Sequence, residues 1–124
     1  MFNKPILAAS LLMGLATVVH FFVGGAEIYD PLRSSSQDML VISVLSVVWH
    51  VVSVQLALMT FALYHLARHP NQSLFVFLLA TQIGFVVLFL GYGAIDMQSL
   101  LPMPQWSIFL TIALLMVWGR SRPA

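Results

Sequence analysis

The residues HFFVGGAEIYDPLRSSSQDMLVISVLSVVWH, His20–His50, hold three of the four acidic residues and two of the four histidines in a chain of 124. Within this stretch one apolar run ends, a polar connection (EIYDPLRSSSQD, Glu27–Asp38) intervenes, and a second apolar run begins. Lipid offers no hydrogen bonds to a backbone, so long apolar runs read as membrane-spanning helices and the connection as a surface loop.

Working outward, the first run covers residues 5–26, which reach about 33 Å as a helix, enough to cross a hydrocarbon core of about 30 Å. A cleaved signal peptide is the competing reading, with Lys4 as its charged start and Gly24-Gly25-Ala26 as small residues for a peptidase. The run exceeds the usual apolar length of about 7–15 residues, which favours a retained span. Asp30-Pro31 is a turn signal, and Ser35, Ser36 or Asp38 can cap the next helix. That helix is predicted over residues 39–65 and ends at Arg68-His69-Pro70-Asn71, because proline biases its predecessor away from helix. Further spans are predicted over residues 73–95 and, after Pro102 and Pro104, over 105–119. The expected fold is a single all-α membrane unit, residues 1–124, in which four transmembrane helices form an up-down-up-down bundle.

Composition agrees. Sixty per cent of residues are apolar and 7% charged, against about a quarter charged in soluble domains. Cysteine is absent, which excludes disulfides, thiolate ligands and iron–sulfur clusters. A net charge of +1 provides no basic patch for nucleic acid. Lys4, Arg68, Arg120 and Arg122 fall at one end of the expected bundle and Arg33 alone at the other. The positive-inside rule then places both termini in the cytoplasm. All four acids (Glu27, Asp30, Asp38, Asp96) gather at the opposite end. Trp106 and Tyr29 would mark the outer interface, and Trp118 and Tyr64 the inner one.

Ionisable groups at membrane depth face a bundle interior or a cavity and are functional candidates. His20, Gly24 and Glu27 share one face of the first helix. Ser43, Ser46, His50, Ser53 and Ala57 form a small-polar seam on the second, of the kind through which membrane helices approach closely. Gln82, Phe85, Phe89, Tyr92 and Asp96 make a stripe on the third. His20 lies roughly 10 Å and His50 roughly 15 Å below the outer helix ends. Two imidazoles, Glu27 and Asp96 can therefore converge in the outer half of the bundle.

Such a cluster suits a metal, iron or copper, on His20, Glu27, His50 and Asp96. It also suits a haem b ligated by His20 and His50, with Gly24, Gly84 and Gly91 giving clearance to the macrocycle. Either would serve electron transfer or oxidation, although no set of catalytic residues emerges. The rival reading has both histidines hydrogen-bonding to Ser46, Ser53, Gln82 or a backbone carbonyl and fixing helix register. Trp49 faces lipid or a neighbouring helix. His65 and His69, four apart beside Arg68, fit the cation preference of a helix C-terminus, and the methionines read as packing residues.

The patterns H-x-x-x-G-x-x-x-I (His20, Gly24, Ile28), Trp49-His50-x-x-Ser53 and Pro104-Gln105-Trp106 resemble those of a group of small uncharacterised four-span bacterial inner-membrane proteins. The resemblance covers nearly the whole chain. It implies the fold and a multi-pass bacterial inner-membrane location, and no activity. A small proton-coupled transporter is an alternative function, although Glu27 lies at the very end of the first span. An accessory subunit, forming a homo-oligomer or part of a larger membrane complex, is another, because four short spans leave much apolar surface for partners.

Overall fold

The computed structural model describes residues 2–121 as four helices and, among these residues, no strand. Arg122, one of the four cations assigned to the inner end, lies outside the described residues. Helix α1 spans Lys4–Arg33, α2 Met39–Arg68, α3 Gln72–Ile95 and α4 Gln105–Arg120. The first three are long and apolar enough to cross a membrane. Shorter, at 16 residues, α4 reaches about 24 Å.

Local chemistry sets most of the ends. Asn3 caps α1, accepting the Ile6 N–H at 3.3 Å. Asp38 caps α2 through the Leu40 N–H at 2.8 Å, and Asn71 caps α3 through that of Leu74 at 2.8 Å. Each carboxylate or amide oxygen satisfies a first-turn donor that has no partner within its own helix. Past α3, Gln98 adopts φ 50° and the Ser99 N–H bonds to Gly93 O at 3.0 Å, folding the connection back over the helix end. The Asp30-Pro31 pair does not turn the chain. From His20 to Tyr29 α1 is π-helical, with the Asp30 N–H reaching Gly25 O, five residues back. Pro31, which has no N–H to give, enters at the start of the α-turn that follows.

Helix α1 packs on α2 and α4, and α4 packs on α3, while α2 and α3 meet more sparsely. The α1–α2 seam follows a 3,4 spacing on both helices: Ser10, Met13, Thr17, His20 and Gly24 face Trp49, Ser53, Leu56, Thr60 and Leu63. The Ser10 hydroxyl donates to Thr60 O at 2.9 Å, and the Thr17 and Thr60 hydroxyls lie 3.5 Å apart. Gly14 leaves room here, since a Cβ would sit 3.3 Å from the Thr60 methyl. At the start of α1, the Asn3 N–H bonds to Ala67 O at 2.8 Å and its side-chain amide donates to Gly119 O at 2.8 Å. This clasp joins the start of α1 to the ends of α2 and α4. We refer to it as the basic end, after Lys4, Arg68 and Arg120.

The core lies toward that end. Ile6, Ala9, Met13, Leu56, Met59, Leu63, Phe75, Leu78, Ile112 and Met116 form one buried cluster. The π-helical segment contributes no buried residue. The cause is length: α2, with 30 residues, reaches about 45 Å and outruns α4 by roughly 20 Å. The distal halves of α1 and α2 thus project as a two-helix hairpin beyond the packed cluster.

Candidate functional site

The distal hairpin is held together by aromatic rings. The π-segment supplies His20 and Tyr29, and α2 supplies Trp49 and His50. The His20 imidazole stacks on the Trp49 indole, with centroids 4.2 Å apart and planes 19° apart. Tyr29 lies nearly parallel to the same indole at 5.9 Å and 18°, and edge-on to His50 at 5.2 Å and 83°. Gly24 makes room for the indole, since a Cβ there would come 3.1 Å from its ring. The Tyr29 hydroxyl is approached by the Arg33 guanidinium and the Ser46 hydroxyl. Each aromatic pair is worth about 0.5–1.5 kcal/mol beyond its burial, so the stack holds the hairpin where bulk core is missing.

His20 and His50 are therefore near one another but do not face one another. Successive helical residues point about 100° apart, and Trp49 takes the position toward α1. His50 is turned aside and exposed, with its Nδ1 2.8 Å from Ser46 O. The expected seam through Ser43, His50 and Ala57 is thus one residue out of register with the seam through Ile42, Trp49, Leu56 and Leu63, while Ser46 and Ser53 belong to both. Glu27 and Asp96 are exposed. Among the described residues no group of three or more His, Cys, Asp or Glu side chains is placed to hold a metal ion. The expected buried His/Glu cluster is not formed. An iron or copper site on His20, Glu27, His50 and Asp96, or a bis-histidine haem, is therefore without support in the arrangement of the described residues, where the His20 ring is covered by Trp49.

Of the glycines expected to clear a cofactor, Gly24 faces the Trp49 indole and the other two face open space. Gly84 and Gly91 have nothing within 4 Å of a would-be Cβ, whereas at Gly119 it would fall 2.6 Å from Asn3 Oδ1 and 2.6 Å from the Ile6 side chain. Of the α3 stripe, Gln82 is fully buried, and both ends of its amide lack a hydrogen-bond partner among the described residues. Phe85 and Phe89 pack on Phe109 of α4 at 4.8 and 5.8 Å, while Tyr92 and Asp96 are exposed. His65 and His69, with rings 4.8 Å apart, sit exposed at the end of α2.

Beside the stack, a shallow groove runs along α2, lined by Ser46, Val47, His50, Val51, Val54 and Gln55. It combines an imidazole and a primary amide with valines that are more than half exposed at positions 47, 51 and 54. Sequence reasoning had His50 but not Gln55, whose i, i+5 relation to His50 belongs to no simple stripe. Comparison of the chain with family models, curated proteins and solved structures gives no match.

Proposed function

We propose that the chain is a single four-span, up-down-up-down unit of a bacterial inner membrane. Its termini are cytoplasmic, and its role is that of an accessory subunit whose α1–α2 hairpin docks into a larger membrane assembly. The orientation is supported by the cations Lys4, Arg68 and Arg120 at one end and the acids at the other. The observation that carries the assembly role is His50, exposed in an apolar groove along a helix long and apolar enough to cross a membrane. Polar side chains in a span turn toward protein or a water-filled cavity, and α1, α3 and α4 leave this face of α2 uncovered.

The chemistry of the occupant follows. A carbonyl only accepts, so the contact with Ser46 O puts the imidazole hydrogen on Nδ1 and leaves Nε2 of the neutral ring as an acceptor. The groove therefore fits a transmembrane helix that presents an N–H or O–H donor to His50 and a small apolar face to the valines. A photocrosslinking amino acid at Val47 or Val51 should give one discrete protein adduct in native membranes, which is lost in His50→Leu. The same probe at Val87 or Leu11, exposed elsewhere, should give none. Adducts of similar yield from all four positions, or lipid adducts alone from the groove, would overturn the reading. An adduct of twice the chain mass would identify the partner helix as that of a second copy.

A further inference from the structure

At the basic end, a cavity of about 530 Å³ opens between the start of α1, the α2–α3 connection and the end of α4. Ile6, Phe75 and Gly119 form its apolar floor, and Arg68 and Arg120 stand at its rim. Both guanidiniums are positioned by rings. That of Arg120 lies 5.1 Å from the Phe75 centroid, and that of Arg68 lies 5.0 Å from Phe2 and 5.8 Å from Tyr64. The Arg68 guanidinium also donates to the Tyr64 hydroxyl at 3.4 Å. Among the described residues no Asp or Glu side chain competes for them, because all four acids belong to the opposite end of the helices. Asn71 and Gln72 line the same cavity. Asn71 satisfies the Leu74 N–H, which leaves the Gln72 and Ser73 N–H groups of the first turn of α3 without an intrahelical acceptor.

We propose that this cavity binds the phosphodiester head group of an anionic phospholipid. Arg68 and Arg120 would hold the charge, the first turn of α3 would add donors, and the acyl chains would lie against the apolar helix faces. Two planar guanidiniums suit a phosphate that offers several acceptor oxygens. Their position at the basic end of a membrane bundle places them at the depth of lipid phosphates, and basic pockets between helices on the cytoplasmic side take such head groups. The inference shares with the proposed function only the membrane orientation, and it concerns the opposite end of α2.

Native mass spectrometry of the purified full chain in detergent, with phosphatidylglycerol, phosphatidylcholine or inorganic phosphate as probe, tests it. Phosphatidylglycerol should bind about tenfold or more tightly than phosphatidylcholine. Arg68→Gln and Arg120→Gln should each weaken it about fivefold, the contribution of one basic residue beside anionic lipid, while Arg33→Gln should change it less than about twofold. Equal binding of the two lipids, or a loss in Arg33→Gln equal to that in Arg68→Gln, would overturn the pocket. Displacement of phosphatidylglycerol by millimolar inorganic phosphate would also overturn it, by assigning the cavity to a free anion. Groove crosslinking through Val47 is unaffected by any of these outcomes, so the two proposals fail separately.

Discussion

Because Ser46 O fixes the ring hydrogen of His50 on Nδ1, the side chain is half satisfied within its own helix, and its remaining need points away from the bundle. His50→Leu loses the edge-on contact with Tyr29 and should lower the stability of the isolated chain in detergent by about 0.5–1.5 kcal/mol, by thermal melting of its circular dichroism. In the proposed assembly, the same change should weaken docking about threefold or more, the scale of one interhelical hydrogen bond in a membrane. Trp49→Ala loses two ring contacts and should cost more, about 1–3 kcal/mol of fold stability. Gly119→Ala should cost about 1–3 kcal/mol, since its Cβ meets Asn3 and Ile6 at 2.6 Å; Gly84→Ala, with open space around it, should be close to neutral. Gln82→Met should raise the melting temperature, because a buried amide without partners costs about 1–3 kcal/mol. Little of this contrast between neighbours was legible in the chain. Trp49 and His50 both sit in an apolar run, and in lipid the outward face is as apolar as the inward one. The periodicity that identifies a buried face in water is therefore muted, and a seam displaced by one residue reads almost as well as the correct one.

Helix limits were far more legible. They depend on where apolar residues stop and where Asp38, Asn71 and the Pro102–Pro104 region act on the backbone, all of which are local. The exception is the π-segment, where i→i+5 pairing carries α1 through Asp30-Pro31. Two adjacent glycines and a proline read as a helix end when only local preference is considered, and the ring stack with α2 that goes with the continued helix is not local. The Ser10–Thr60 bond was missed for a related reason: each residue looks like an ordinary helix hydroxyl until the seam register is known. Ser10→Ala should cost about 0.6 kcal/mol, a typical interhelical hydrogen bond in a membrane. Unfolding of the purified protein by a denaturing detergent should resolve this against the near-neutral Thr81→Val, whose hydroxyl bonds only to Phe77 O within its own helix.

At the scale of the molecule, one end is packed and the other depends on a ring stack. Hydrogen exchange in detergent should show the gradient, with amides of the π-segment and of residues 39–46 exchanging well before those of residues 6–17 and 56–66. Buried contacts set the free energy of local opening. The Asn3 clasp adds an order in time. Its amide N–H partner on Ala67 is made first, whereas its side-chain partner on Gly119 lies 116 residues along the chain from Asn3. At about 5–20 residues per second, the two arrive roughly 3–10 s apart. During that interval the first two helices can pair while half of the clasp waits, and α4 then closes the basic end once it has been made. A chain stopped before Gly119 would keep its hairpin but lack the closure.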